Sequence, residues 1–467
     1  MKKIGIIGAG PGGYSAAFYA ADKGLDVTLI DADSSLGGVC LNRGCIPSKA
    51  LLHLAKVISE SSKAAEWGIE FNQPTINLEK IHLWRDRVVR QMSGGLVSLA
   101  RKRKIKLIQG YARFVDSQKI EVQGQAGGSE TLTFDYIVIA TGSQPNTDPF
   151  PVSDLIMDST EGLSLDTIPE TLLVVGGGYI GLELGTVYSA LGSKVWVVDM
   201  ADTVLGGGIV DKDLVAVLEK RLRSNFQDIW TNTTADLTVH SDHVLAKITP
   251  SSGQSFESSF DKILVAVGRK PNSQNLNLEN TKVSLTDQKF IKTNEHCMTT
   301  DPYVFAIGDV VADGNQQKFG LAHVATTQGK VAVDVILGSN RIYNPLAVPA
   351  VVFTDPEVAW CGLTETQAQI KKQAIEVCSF PWIASGRATT LGDNEGLTKL
   401  IIDPETKIVL GMGIVGAGAG ELIAEGALAV EMGCVAEDLQ LTIHPHPTLS
   451  ETVMETAELF SGHTTHL

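Results

Sequence analysis

Two stretches of the chain share one hydrophobic pattern. In KKIGIIGAGPGGYSAAFYAADKGLDVTLID, a short apolar run from Ile4 to Ile7 stops at Gly8, Gly10 and Gly13. Small residues at helical spacing follow, and a second apolar run ends at Asp31. In TLLVVGGGYIGLELGTVYSALGSKVWVVD, the run Leu172 to Val175 stops at Gly176, Gly178 and Gly181, and the second run ends at Asp199. In both copies the acid follows the third glycine by 18 residues, and the copies are offset by 168. Short continuous apolar runs bounded by glycine predict buried strands of a parallel sheet, joined by a crossover helix. Each copy is followed by a further strand that closes on small residues: FDYIVIATGS on Thr141 and Gly142, FDKILVAVGRKPN on Gly268 and Arg269. A third such run, YVFAIGDV, closes on Gly308 and Asp309, and a helical pattern begins near His323. Two helical patterns occupy residues 49 to 105, broken by NQPTIN. From about 345 the glycine pattern stops. Strands such as AVVF and KLIID there alternate with the helix GELIAEGALAVEMG, which predicts a separate α+β domain.

Each glycine has a physical reason. The first permits a tight turn, the second lets backbone approach a pyrophosphate, and the third lets helix and strand pack closely. The helix N-terminus then faces the phosphates, and the acid takes a ribose hydroxyl. One such motif also arises from packing alone. Two copies, each with strand, helix and acid in place, predict two dinucleotide sites. The expected fold is α/β: two Rossmann-like dinucleotide-binding domains at 1–145 and 146–272, a central segment at 273–344 that completes the first site, and a C-terminal α+β dimerisation domain at 345–467.

Composition narrows the partners. The 467 residues carry a net charge of −15, which repels a phosphate backbone, so nucleic acid is not an expected partner. The basic stretch RKRKIK at 101–106 reads as a solvated helix end. No apolar run reaches the roughly 18 residues of a membrane span, and the first apolar stretch ends in glycines as a strand does, not as a signal peptide does. A cytoplasmic location is expected. Cys297, Cys361, Cys378 and Cys434 are scattered singly and read as small buried hydrophobes.

Cys40 and Cys45 form a pair within GGVCLNRGCIPSKALL. A zinc site needs about four ligands, and one pair supplies half a set, so no metal is expected. A structural staple closing so short a loop adds little stability. A redox pair fits better. Pro47 suits the first position of a helix, which leaves Cys45 just outside its N-terminus with Lys49 one turn in. Dipole and ammonium both favour the Cys45 thiolate, and Cys40, further out, is the sulfur for a substrate thiol to attack.

The peptide GGVCLNRGCIPSKALL resembles the active-site peptide of the pyridine nucleotide–disulfide oxidoreductases. The resemblance runs over essentially the whole chain: both glycine motifs, ATG at 140–142, AVGRKPN, FAIGD, VVFTDPEVAWCG, FPWIASGRA and the closing HPHPTLSE. It implies FAD on the first motif and NAD on the second, and catalysis by Cys40, Cys45, Lys49, Glu183, His446 and Glu451. On the residues alone, His446 reads first as a structural histidine in a proline-rich turn and only second as an acid–base. The family makes it the acid–base, held by Glu451 and reaching the disulfide of the other subunit of a homodimer, with His444 structural. Lys49 is implied to lie beside the flavin, paired with Glu183. Asp31 is implied on the FAD ribose and Ala112 near the adenine. Gly38, Val39, Gly308, Asp309 and Ala322 fall with Gly8, Gly10, Gly13, Thr141 and Gly142 on the flavin side. Gly176, Gly178, Tyr179, Gly181, Asp199, Gly268 and Arg269 fall on the NAD side.

The implied reaction is reoxidation of protein-bound dihydrolipoamide by NAD+. Its partners would be lipoyl domains of 2-oxoacid dehydrogenase complexes or the glycine cleavage carrier. NADPH-dependent relatives such as glutathione reductase need an arginine near the end of the second strand; here MADTVLGGG follows Asp199. Mercuric reductase adds a C-terminal cysteine pair, a soluble transhydrogenase lacks the Cys40–Cys45 pair, and a scaffolding subunit has no use for the full catalytic set. Three features depart from the family. Asp31 and Asp199 stand where Glu is frequent, TTQG at 326–329 lacks an acid, and Gly206–Gly208 has no functional account.

Overall fold

The computed structural model describes residues 1–124, 127–312 and 320–467. The chain forms two compact units. The first comprises Met1–Ala50, Asn77–Asn146 and Gly268–Asn344; the second comprises Leu51–Ile76, Thr147–Val267 and Pro345–Leu467.

In the first unit, Lys3–Ile7 lies at the centre of a five-stranded parallel sheet. Asp26–Asp31 and then Lys106–Gln109 flank it on one side, Tyr136–Ile139 and then Val304–Ala306 on the other. Successive side chains point to opposite faces, and both faces are covered, so these strands are apolar throughout. Ile4, Ile6, Leu29 and Val138 pack beneath helices. Ile7, Ile30, Ile137 and Ile139 pack with Ala112 and Phe114 of an antiparallel three-stranded sheet (Tyr111–Asp116, Lys119–Gln123, Ser129–Thr133). The motif helix Pro11–Asp22 lies close against Ala322–Ile336 because small residues meet: a Cβ on Gly12 would sit 3.1 Å from the Cβ of Ala325, and one on Gly329 would sit 3.1 Å from that of Ala16. A two-stranded ribbon pairs Ser143–Pro145 with Arg269–Pro271, so the chain has entered this unit before residue 273.

The second unit repeats the arrangement. Thr171–Val175 is central, with Lys194–Val198 and Asp228–Trp230 on one side and Lys262–Val265 and Ile156–Met157 on the other, all parallel. It too carries an antiparallel three-stranded sheet (Thr233–Val239, Val244–Pro250, Phe256–Phe260). Its C-terminal part is a five-stranded antiparallel sheet in the order Ala350–Val352, Glu357–Gly362, Val409–Gly416, Leu397–Ile402, Glu376–Pro381. Helices Ala419–Met432, Ala436–Leu441 and Glu451–Phe460 accompany it. Trp382 is fully buried there, its Nε1–H donating to Thr398 Oγ1 at 2.9 Å.

Candidate active site

The two glycine turns are built alike to the level of single hydrogen bonds. Gly8 N–H donates to Ile30 O at 2.7 Å, and Gly176 N–H to Val198 O at 2.8 Å. Ala140 N–H donates to Ile7 O and Ala266 N–H to Val175 O, which seals each turn to its neighbouring strand. Each terminal acid reaches back to the turn. Asp31 accepts from Ala9 N–H at 2.5 Å and Asp33 N–H at 2.7 Å; Asp199 accepts from Gly177 N–H at 2.5 Å and Ala201 N–H at 2.7 Å. These aspartates therefore hold the turns as well as ending the strands, a role the shorter side chain suits. Each carboxylate oxygen keeps a lone pair for a ribose hydroxyl. Burial pushes the Asp31 carboxyl up, and the two backbone donors oppose the shift.

The glycines divide by function. Gly8 and Gly176 have φ of +100° and +107°, and a Cβ on either would collide with a backbone carbonyl, Ala140 O or Ala266 O. A Cβ on Gly13 or Gly181 would collide with Gly8 O or Gly176 O. The middle glycines differ. A Cβ on Gly10 would meet nothing closer than 4.0 Å, and one on Gly178 nothing within 4 Å. Packing does not require glycine there; close approach of a pyrophosphate to the backbone does, so the residues fit a dinucleotide at both turns.

The cysteine peptide is fastened to the first turn. Gly37 N–H donates to Ala9 O at 2.9 Å, and a Cβ on Gly38 would lie 2.6 Å from Gly10 Cα. Cys40 and Val39 stand on the short helix Gly38–Arg43. Gly44, with φ −148° and ψ −114°, breaks the chain there, and the next helix runs Cys45–Lys63. It starts at Cys45, two residues before the expected start at Pro47. Pro47 still falls in the first turn, where no N–H is required. The two sulfurs are not joined in a disulfide; Cys45 is exposed and Cys40 half-buried. The Cys40 thiol is raised far above its ordinary range, first by its hydrogen bond to Cys45 and next by burial, with Lys49 acting weakly the other way. The Tyr14 phenol is raised by burial and then by the charges of Cys40 and Cys45. Sequence reasoning passed over this residue, because the second copy has Leu182 at the matching place.

Of the remaining residues expected on the flavin side, Thr141, Gly142 and Asp309 are linked by hydrogen bonds around Ser143 and Asn272. Asp309 accepts from Ser143 Oγ at 2.7 Å, and Arg269 donates through Nε to Ser143 Oγ and through Nη2 to Ser143 O, both at 2.7 Å. Arg269, expected on the NAD side, spends these donors within the ribbon, and Gly268 accepts Asn146 N–H there. Thr141 and Gly142 are tied to Asn272 by Thr141 Oγ1–H to Asn272 O, Asn272 Nδ2–H to Thr141 O, and Asn272 N–H to Gly142 O. Gln328 accepts Gly308 N–H at 2.7 Å, which gives the acid-free TTQG a structural purpose. Ala322 opens the helix Ala322–Ile336, and Ala112 is buried in its strand.

In the second unit, Tyr179 begins the motif helix Tyr179–Ala190, and Glu183, within it, is buried and accepts Phe353 N–H at 3.0 Å. Lys212 is bonded to Asp202 at 3.1 Å. His446 Nδ1 lies 2.8 Å from Glu451 Oε1, and Glu451 Oε2 accepts Thr448 N–H at 2.7 Å. A carboxylate only accepts, so Nδ1 carries the hydrogen and Nε2 is left as the acceptor, on a side chain 74% exposed. His444 differs: Glu425 and Thr442 O engage its two nitrogens at 2.7 and 2.9 Å, so it braces the loop.

Comparison with known proteins agrees with this arrangement. Residues 2–329 match the family model described as pyridine nucleotide-disulphide oxidoreductase, and residues 348–457 match the dimerisation domain of the same family. The chain is 44% identical over its whole length to the dihydrolipoyl dehydrogenase of Vibrio cholerae, covering 97% of that protein. It is 43% identical to that of Haemophilus influenzae, covering all of this chain and 96% of the relative, and 39% identical to that of Geobacillus stearothermophilus, covering 99% and 97%. Among solved structures, LpdA of Mycobacterium tuberculosis superimposes with a TM-score of 0.89 at 27% identity, covering 98% of this chain and 99% of its own. The HOCl-induced flavoprotein disulfide reductase RclA of Escherichia coli superimposes at 0.86 and 26%, with the same coverage. With paired glycine turns, a cysteine peptide bonded to the first, and both family models matched, the chain belongs to the pyridine nucleotide-disulphide oxidoreductases.

Proposed function

We propose that the protein reoxidises dihydrolipoamide to lipoamide with NAD+ as acceptor, using FAD. The observation that carries this reading is the attachment of the cysteine peptide to the first glycine turn through Gly37 N–H to Ala9 O and the contact of Gly38 with Gly10. A dinucleotide held at that turn has the cysteine pair in the peptide bonded to the same turn. The full-length likeness to dihydrolipoyl dehydrogenases supports the choice of substrate.

FAD belongs on Gly8–Gly13 with Asp31, Asp309 and the Thr141–Gly142 turn, and NAD on Gly176–Gly181 with Asp199. Bound flavin supplies two-electron transfer between the dithiol and the nicotinamide. The residues of this chain do the rest. Cys40 exchanges with the substrate thiol, and Cys45, at the start of its helix, is the flavin-side sulfur. His446 Nε2 takes the proton of the second substrate thiol while Glu451 holds Nδ1–H. Asp199 places a negative charge where a 2′-phosphate would lie, and Lys212 is engaged by Asp202, which favours NAD over NADP. The active form is a homodimer in which His446 serves the partner's disulfide. Leu428 and Met432, one helical turn apart and 63% and 71% exposed, and Ile443, 94% exposed beside His444, supply apolar surface for a second copy. Lipoyl domains are the expected carriers of the substrate. No helix among the described residues is long and apolar enough to cross a membrane.

The test is a substrate matrix on FAD-loaded protein: dihydrolipoamide, glutathione disulfide and coenzyme A disulfide, each with NAD(H) and NADP(H). Turnover should be confined to the lipoamide and NAD(H) combination. Preference for either other disulfide, or for NADP(H), refutes the assignment.

A further inference from the structure

The segment between Asp199 and the helix Lys212–Asn225 contains Gly206–Gly208, which neither fold nor proposed reaction explains. Its path is set by bonds to the second glycine turn. Asp199 takes Gly177 N–H, and Leu205 N–H, six residues on, donates to Gly177 O at 2.9 Å. The first copy has the same pair of bonds at the same spacing: Asp31 takes Ala9 N–H, and Gly37 N–H donates to Ala9 O. The internal repeat therefore runs past its acid. Beyond these bonds the first copy continues into the cysteine peptide and the second into Gly206–Gly208.

The three glycines let this segment fold tightly. A Cβ on Gly206 would collide with Ala201, and Gly208, at φ +71°, would press a Cβ to 2.7 Å from Thr366 Cγ2. The segment's far end is held by a buried ion cluster. Lys399 stands on the strand Leu397–Ile402 with its side chain wholly buried. Its ammonium lies 2.9 Å from both oxygens of Asp213, 3.2 Å from Asp211, and bonds Glu365. Asp211, itself buried, also accepts Glu365 N–H at 2.9 Å. The carboxylates of Asp211, Asp213 and Glu365 resemble a cation site, and the lysine already fills it. Leu214 completes the attachment against Gly413, where a Cβ would collide with it.

We infer that residues 200–210 are a strap over the second glycine turn, and that Lys399 is a positioning residue for the nicotinamide dinucleotide, because it fixes the strap's far end to the C-terminal sheet. This rests on the reading that the second turn takes NAD(H). The N–H groups that meet a pyrophosphate belong to the same turn whose Gly177 is bonded through its C=O to Leu205 of the strap and through its N–H to Asp199, the residue from which the strap leaves. A shift of the strap is transmitted to them directly. Without the ammonium, Asp211 is a buried carboxylate with no cation, and the strap's end must move to hydrate it.

The experiment uses the FAD-loaded enzyme and two variants, Lys399→Met and Gly208→Val, the second disturbing the strap at Thr366 while keeping every charged group of the ion cluster. NADH affinity is measured by fluorescence titration and KM for NAD+ by steady-state kinetics. Flavin reduction by dihydrolipoamide without NAD+ is followed separately. In both variants the NADH Kd and the KM should rise tenfold or more, while flavin reduction stays within twofold of wild type. A general folding defect would slow both reactions together. If Lys399→Met does not fold, Gly208→Val decides alone. Wild-type NADH affinity in a folded variant overturns the inference. Failure of the wild-type enzyme itself to bind NADH would instead overturn the reading of the second turn.

Discussion

Glu451 holds His446 through one charged hydrogen bond, and Glu451→Gln tests what that bond does. The carboxylate serves two donors at once, His446 Nδ1–H at 2.8 Å and Thr448 N–H at 2.7 Å. A glutamine side chain has one oxygen and one NH2 group. It can satisfy His446 or Thr448, and whichever it leaves faces a donor with a donor. If the amide oxygen turns to Thr448, the imidazole must rotate or adopt the other tautomer, and Nε2 no longer accepts. A hydrogen bond to a charged group contributes about 1.5–3 kcal/mol, and about 1.4 kcal/mol corresponds to tenfold in rate. The expected loss is therefore about 10- to 100-fold in proton transfer. The lower figure applies while the ring is wet, as its 74% exposure in a single subunit indicates; the upper applies once a second copy covers it. The assay is stopped-flow reduction of the flavin by dihydrolipoamide without NAD+, which isolates the step proposed for His446, with NADH binding as the control. NADH affinity should be unchanged. Flavin reduction at the wild-type rate in Glu451→Gln would refute the assignment of His446 as base, whatever the structural importance of the loop.

The glycine turns give a paired outcome: Gly178→Ala should fold normally yet weaken NADH binding, whereas Gly181→Ala, whose Cβ collides with Gly176 O, should lower the melting temperature itself. Removing the sulfur that shares the Cys40 proton, by Cys45→Ala, should bring the pH midpoint of Cys40 alkylation down toward the ordinary thiol range, though burial keeps it above; an unchanged midpoint contradicts the hydrogen bond. The segment beyond the last helix is tied down by Glu455, which accepts from Thr464 and Thr465 and lies 2.5 Å from His466 Nδ1. Its Glu455 bond raises the His466 value; hydrogen bonds from Thr464 and His466 outweigh burial and lower that of Glu455. The histidine's contribution is complete below about pH 6.5 and is lost as pH rises through the folded value; the glutamate's is present above about pH 4.3 and lost as pH falls. Thermal melts should therefore show His466→Gln less stable than wild type near pH 6 and indistinguishable from it near pH 9.

The chemistry legible in the sequence was confined to short stretches. His446 and Glu451 are five residues apart, and the structure brings them into one hydrogen bond. The glycine motifs were readable because each first glycine answers a collision with the end of the neighbouring strand and each third a collision with the first glycine's own carbonyl, so the spacing cannot drift. The start of the cysteine helix lies two residues earlier than expected because Pro47 tolerates several first-turn positions, and only the backbone of Gly44 fixes the break. The two antiparallel three-stranded sheets have no clear sequence signal. Strands such as Thr233–Val239 are polar and exposed on one face and too weakly patterned to stand out. The Lys399 cluster was beyond reach for a different reason. Its members come from positions 211, 213, 365 and 399, each ordinary in its own segment, and a buried lysine looks like any surface lysine until the fold surrounds it. Gly206–Gly208 lies between these cases. Its residues were visible as a departure from the family, and their purpose depended on Thr366 and Lys399, which no local spacing connects. The repeat itself held the missing link. Gly37 and Leu205 stand 168 residues apart, at the same offset as the two motifs, and bond to equivalent carbonyls. One repeated turn-and-acid unit thus carries a redox peptide in one copy and a positioning strap in the other. The two copies part in function just beyond the acid, where the shared hydrogen bonds end.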